Sequence, residues 1–454
     1  MKTRMLYLPI SVLILVAFLL SSCAPAAQTP TPVNIPPAAP TAVATVAPTV
    51  APTALPKITL TFWYEWDQKN NPQAYAWSQD IVAAYETSHP NVTVNAVAIP
   101  DQEYDAKFQT AVASGTTPDG FMARPGSWFQ PYVNEGIAIP LDPYLSVGGW
   151  GDSFLKSAMD VCTYSGKTYC LPGGIRSVQI WYNVNLFTQN NLAVPTTWAE
   201  LDSVATALKA KGITPFALGN QEAWEAPLIY EYLLIRNGGY QNYLDAASRD
   251  GKAKFNDPVF VDAATKLQAM STQGYFPKGV NGLAFGDMLT QFFSGKAAMA
   301  VFLNVMPGIA SGSAPKGFKL DYFNFPSTGG DATGLVSSIG GAWAISAKSK
   351  NQDQMADFLR FWTSQQNMST LSQEAGWVMS VKNTISQANT DPMTWRIYSD
   401  INNASVLIPF LNYALLPDTS AAVFQSIQQI MDGSAAPQAA MDAWEAAAVK
   451  EYSK

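Results

Sequence analysis

Very few side chains in this 454-residue sequence can do bond-breaking chemistry. The single histidine, His89, lies in Glu86-Thr-Ser-His-Pro-Asn91, at the end of a helical stretch and before a proline. That setting predicts a surface or capping residue. Ser-His-Asp and Cys-His nucleophile systems would both need His89, which argues against them. Without a second histidine the usual transition-metal ligand sets are missing, and no Gly-x-Gly-x-x-Gly or Walker-type loop marks a cofactor. Two carboxylates can hydrolyse a glycosidic bond. The nominal pairs are Glu65 with Asp67 and Glu222 with Glu225, but acidic pairs this close are common on any surface. No catalysis and no cofactor are therefore expected, with an extracellular glycan-active hydrolase as the alternative.

Three cysteines remain to be explained. Cys162 and Cys170 flank Thr163–Tyr169, which reads as two short strands around a turn at Ser165-Gly166. A turn centred on Gly166 sets them directly opposite, at a separation a disulfide closes. A metal pair is the poorer reading, since nothing nearby has ligand spacing. Cys23 belongs to a different element. Lys2 and Arg4 precede an apolar run from Leu6 to Leu20, and Ser21-Ser22-Cys23 follows. The run is short for a bilayer span and ends in small residues, as an export signal does. It resembles a bacterial lipobox, in which Cys23 is lipidated and becomes the mature N-terminus. A plain secretory signal is the alternative. An exported chain permits oxidation of the other two cysteines.

Ala24–Pro56 holds nine prolines, six threonines and ten alanines in thirty-three residues, with no charge. It cannot bury enough apolar surface to offset the ordering of its backbone, so a disordered linker is expected. Extended, at about 3.1 Å per residue, it reaches roughly 100 Å. From Lys57 onward about 400 residues remain, enough for two domains or one bilobed unit. The whole chain carries 27 basic and 34 acidic residues; without Lys2 and Arg4 the balance is 25 − 34 = −9. An acidic body argues against nucleic acid or anionic lipid as the main partner. Thirteen tryptophans exceed what a core needs and suit a site that stacks flat ligands.

The elements that must hold such a site alternate between strand and helix. Ile58–Trp63 and Asn91–Ala98 read as strands, Pro72–Ser88 and Gln102–Ser114 as helices, and Gly120–Met122 as a short strand. Thr197-Trp-Ala-Glu200 is a capping box that opens a helix with Leu201, Val204, Ala205 and Leu208 on one face. Ile213–Leu218 follows as a strand. Met355, Phe358, Leu359 and Trp362 form a second buried stripe, and Val423, Ile427, Ile430 and Met431 a third, ended by Gly433. This order predicts an α/β protein with largely parallel sheets and a mainly helical last hundred residues.

Five segments in order resemble the family-1 extracytoplasmic solute-binding proteins of ABC importers, whose best-known members bind malto-oligosaccharides and other sugars. They are Thr117-Pro-Asp119; Leu171-Pro-Gly-Gly through Ile180-Trp-Tyr-Asn183 to Leu186-Phe187; Pro195-Thr-Thr-Trp-Ala-Glu-Leu201; Phe293-Ser-Gly-Lys-Ala-Ala-Met299; and Gly340-Gly-Ala-Trp-Ala-Ile-Ser346. The resemblance implies a two-lobed periplasmic-binding-protein-like α/β fold of type II, with a hinge and a ligand in the interlobe cleft. It sets the first lobe at about 57–172 and 297–345, and the second at about 173–296 and 346–454. It further implies a monomer that delivers a sugar or oligosaccharide to permease subunits, held to the membrane by the lipid on Cys23. The same fold with a non-sugar solute or a sensing output stays open.

A sugar offers apolar C–H faces and a rim of hydroxyls, which aromatic rings and planar polar groups match. Where the family places its cleft loops stand Glu65 and Asp67 after the first strand, Arg124, Arg176, Glu222 beside Trp224, Asn304 and Trp343. Trp63 reads as core, and Trp181, Tyr182 and Trp198 as scaffold. After the helix at about 365–375 the chain departs from the family pattern. Gly376-Trp-Val-Met-Ser380 stands where relatives carry a Gly followed shortly by Pro, which makes Trp377 a further candidate.

Overall fold

The computed structural model describes residues 55–69 and 71–453. The export signal, Cys23 and nearly all of the proline-rich stretch lie outside the described residues. In chain order the strands are β1 (Ile58–Tyr64), β2 (Val92–Ala98), β3 (Gly120–Ala123), β4 (Thr163–Tyr164), β5 (Lys167–Thr168) and β6 (Leu171–Asn183). They continue with β7 (Thr214–Ala217), β8 (Ala297–Leu303), β9 (Leu320–Phe323), β10 (Leu335–Ile345) and β11 (Leu407–Pro409). The main sheet runs β2-β1-β3-β10-β6-β8-β7, with β11 on β10 and β9 on β6. β1 pairs in parallel with β2 and β3, and β7 in parallel with β8. The parallel contacts expected from the strand–helix alternation are therefore present, but β10 and β6 run antiparallel to their neighbours between them.

β6 is the pivot. Its first half, Leu171–Ser177, pairs with β10. Its second half, Val178–Asn183, pairs with β8 and β9. One continuous strand thus belongs to two sheets. On the first sheet, β1 alternates as its sequence requires: Leu60, Phe62 and Tyr64 are buried and the residues between them are not. They pack with Trp77, Tyr85, Phe358 and Trp362 from helices Pro72–Ser88 and Gln352–Trp362. On the second sheet the capping box of Thr197 and Glu200 starts helix Trp198–Ala210, which buries Leu201, Val204, Ala205 and Leu208. That core also takes helices Glu225–Arg236, Pro258–Thr272, Pro417–Asp432 and Pro437–Tyr452.

This pairing corrects the lobe boundaries. β8 was expected in the first lobe with 297–345, but it pairs with β7 and the second half of β6, so it belongs to the second. Helices Gln352–Trp362 and Gln365–Ala375 were expected in the second lobe, but they bury Met355, Phe358, Leu359, Met368 and Leu371 against the first sheet. Chain order cannot reveal this, because strand partners are set by non-local contacts.

His89 caps helix Pro72–Ser88, stacks on Tyr85 at 4.1 Å between ring centres, and meets Asp357 at 3.2 Å. The cysteine hairpin is present with its register one step from expectation. Thr163 opposes Thr168, and Tyr164 opposes Lys167. Ser165 and Gly166 both take positive φ, 49° and 78°, as a two-residue hairpin turn demands. Cys162 therefore faces Tyr169 rather than Cys170. The two cysteine Cα atoms still lie 5.1 Å apart with their sulfurs in contact.

Candidate functional site

Parallel strands of an open α/β sheet present their carboxyl ends, and the loops that follow them, along one edge, where such folds bind ligands. Glu65 follows β1 there and Arg124 follows β3. Helix Asp101–Ser114, after β2, adds two acids. Arg124 meets Glu65 at 3.1 Å, Asp101 at 2.5 Å and Asp105 at 3.0 Å. One cation therefore serves three carboxylates. Burial pushes the Glu65 carboxyl up to about 7, against the pull of Arg124. Burial also works against the charge of Arg124, but Glu65, Tyr413, Asp101 and Asp105 outweigh it and hold the guanidinium above its ordinary value.

Arg176 comes from the first half of β6, opposite Ser338 of β10. It stacks its guanidinium 4.2 Å from the ring centre of Trp377. On its other side is Gly340. A Cβ there would stand 2.7 Å from Arg176 Nε, so a larger residue would have to push the guanidinium aside. Burial pulls the Arg176 guanidinium down to about 10, partly offset by Glu65 and Tyr413. Among the described residues its buried Nη1 has no hydrogen-bond partner. Asn304, one residue past β8, gives its amide nitrogen to Ile175 O at 2.9 Å. Its buried Oδ1 has no partner among the described residues. Two unmet polar atoms thus flank the same stretch of β6.

Tyr413 approaches from the second lobe. Phe410, Leu411 and Leu415 around it belong to the second core. Its own hydroxyl interacts with Arg124 and Glu65, and burial raises it above its ordinary range. Its carbonyl accepts from Ser127 N at 2.5 Å. Residues of both lobes therefore meet at the Glu65–Arg124 pair.

The remaining candidates divide. Trp224 is half-buried and packs on Phe302 (5.9 Å) and Phe285 (6.3 Å). Glu222 is exposed and accepts from Phe285 N at 3.2 Å. These two form a separate group after β7. Glu225, at the start of its helix, is buried, and burial with Glu222 close by pushes its carboxyl up to about 8. Asp67 accepts from Lys69 N at 2.9 Å, within its own loop. Trp343, open from sequence between strand core and cleft wall, is fully buried, with its ring 5.8 Å from Trp66 and 6.0 Å from Trp362, and packs in the first core. Trp377 is also nearly buried. Its ring packs against Trp66 at 5.3 Å and under the Arg176 guanidinium, so it backs the arginine. The sequence reading missed Tyr413, Asp101 and Asp105. The two aspartates had a readable signal, since they lie one turn apart at the start of a helix after β2; Tyr413 had none.

Two sheets sharing one strand, with a polar cluster where the lobes meet, define a two-lobed solute-binding architecture. The chain matches the family described as bacterial extracellular solute-binding protein over residues 69–369, and it belongs to that family. It is 27% identical over 331 residues to the multiple sugar-binding protein of Streptococcus mutans, covering 70% of this chain and 76% of that protein. It is 25% identical over 393 residues to the galactooligosaccharide-binding protein of Bacillus subtilis, covering 83% and 86%. Among solved structures, one from work on xylan utilization by the thermophilic bacterium Caldanaerobius polysaccharolyticus is 29% identical. Its TM-score is 0.76, over 86% of this chain and 99% of that one. A chitin oligosaccharide binding protein shares the fold, with TM-score 0.79 at 23% identity over 88% and 100%.

Proposed function

We propose that this protein captures a sugar or oligosaccharide outside the cell and delivers it to the permease of an ABC importer, without catalysis. The observation that carries this reading is the pair of buried, unpartnered polar atoms, Arg176 Nη1 and Asn304 Oδ1, where the lobes meet. Leaving such atoms unmet costs about 1–3 kcal/mol each. A guest that both accepts from the arginine and donates to the amide oxygen relieves both, and a sugar hydroxyl does each. The half-buried ring of Trp224 offers an apolar surface of the kind that covers a sugar face. The relatives above whose names state a ligand are named for sugars or sugar oligomers. In this reading Glu65, Arg124, Arg176 and Asn304 hold hydroxyls, with Asp67, Glu222 and Trp224 at the rim. Cys23 carries the lipid, Ala24–Pro56 is the stalk, Cys162 and Cys170 form a disulfide, and the protein works as a monomer.

The test is a titration of the full chain in detergent with xylo-, chito-, galacto- and malto-oligosaccharides and raffinose. Tryptophan fluorescence and melting temperature are the readouts, since a ligand bound only by the native state raises stability. A response to at least one class is expected. No response to any of them overturns the sugar reading, and release of shorter sugars during the titration overturns the non-catalytic one.

A further inference from the structure

The contact between the lobes is made by main chain as well as by side chains, and one glycine decides it. Gly126 follows Arg124 and Pro125, with φ 105°. A Cβ on it would stand 2.0 Å from the carbonyl oxygen of Tyr413, which no alanine tolerates. The next residue makes the bonds: Ser127 N donates to Tyr413 O at 2.5 Å, and Ser127 Oγ donates to Leu415 O. Gly126 is itself held from behind. Its N–H donates to the hydroxyl of Tyr164 at 2.7 Å, and that hydroxyl donates to Gly126 O at 3.3 Å. Tyr164 sits in β4, inside the loop bounded by Cys162 and Cys170.

We infer that Gly126, Ser127 and Tyr164 are positioning residues that dock the 410–415 segment of the second lobe onto the first and so set Tyr413 against Arg124 and Glu65. The inference rests on the solute-binding reading for its purpose, not for its geometry. None of the three is among the residues proposed above to hold the guest. They act on the closed arrangement, and hence on affinity, through the population of the form that binds. The short hairpin then has a reason to be pinned: it carries the hydroxyl that clamps Gly126.

The test is hydrogen exchange on the full chain in detergent without any sugar, read at the Ser127 and Gly126 amides. Both are protected in the native protein. Gly126→Ala speeds Ser127 exchange at least about tenfold, the worth of one to two lost hydrogen bonds. Tyr164→Phe speeds Gly126 exchange by about the same factor. Gly136→Ala is the control: its φ is also positive, at 67°, and nothing lies within 4 Å of the added carbon, so it reports a glycine-to-alanine change at positive φ without the clash. It leaves both amides unchanged. Ser127→Ala keeps the test open should Gly126→Ala fail to fold, and it weakens the dock through the lost bond to Leu415 O. With xylotetraose, chitotetraose and raffinose as probes, affinity for any that the native chain binds falls about tenfold in Gly126→Ala while the melting temperature of the ligand-free protein stays within a few degrees. Should none of the three bind, the amide readout still decides the dock, and the sugar reading is decided separately by the full panel. An unprotected Ser127 amide in the native protein, or equal protection in Gly126→Ala and Gly136→Ala, overturns the inference.

Discussion

Replacing Gly340 by alanine is predicted to cost ligand affinity without unfolding the protein. The added Cβ would lie 2.7 Å from Arg176 Nε, 2.9 Å from Cγ and 3.0 Å from Cζ. Ordinary van der Waals contact is about 3.5 Å or more, so the guanidinium must move by roughly 0.5–1 Å. It cannot retreat freely, because Trp377 stacks on it at 4.2 Å. A displacement of that size takes Nη1 out of line with a hydroxyl it was aimed at. A hydrogen bond to a charged group contributes about 1.5–3 kcal/mol, which corresponds to about ten- to 150-fold in Kd. Overpacking of this kind costs about 1–3 kcal/mol in stability. Isothermal titration with a sugar identified by the panel, alongside denaturant unfolding, separates the two effects. An unchanged Kd in a protein whose stability has dropped would refute the reasoning, since it would mean that Arg176 holds the lobe together and does not touch the guest.

Glu231 gives a pH prediction. It is buried, its Oε1 accepts from Leu411 N at 2.9 Å, and burial pushes its carboxyl up to about 8. A pKa raised in the folded state means the fold holds the proton. Its stabilisation is therefore complete below the unfolded value near 4.5 and is lost as pH rises through about 8. Between pH 5 and pH 9 the loss is on the order of 2–4 kcal/mol. Thermal melts should show the native chain falling over that range and Glu231→Gln falling less; parallel curves would contradict the assignment. Glu65 and Glu225, raised to about 7 and about 8, push in the same direction. Trp343→Phe should lower stability by about 1–3 kcal/mol through the cavity left among Trp66 and Trp362, with Kd unchanged; a large change in Kd at equal stability would return Trp343 to the cleft. Replacing both Cys162 and Cys170 by serine should cost about 2–3 kcal/mol for so short a loop, measured by denaturant unfolding, and no loss would show the pair to be unbonded in the native chain.

Much of the fold was legible because its signals are local. The alternation in β1, the capping box at Thr197 and Glu200, and the stripes ending in Trp362 and Met431 each depend on neighbours a few residues away. The division of β6 between two partners was not legible, since it depends on β10 and β8, far off in sequence. That is why 297–303 and the helices after 351 were assigned to the wrong lobes. In the candidate site, Glu65 and Arg124 were legible as residues that follow strands, whereas Arg176 stands within β6 and was a candidate only through the family resemblance. Trp343 stayed open between strand core and cleft wall for a specific reason. The double glycine before it does mark a close approach, but the group that approaches Gly340 is the Arg176 guanidinium, while the tryptophan packs in the first core beside Trp66. Tyr413 stood outside any pattern, because only the meeting of lobes gives it a role.

The account rests most directly on what meets the buried Arg176 Nη1. A crystal structure of the protein with a sugar from the panel is the measurement. Hydroxyls of one ring within hydrogen-bond reach of both Arg176 Nη1 and Asn304 Oδ1, with Tyr413 closing over Glu65 and Arg124, are the predicted result. A sugar seated elsewhere, with those two atoms still unmet, would contradict it.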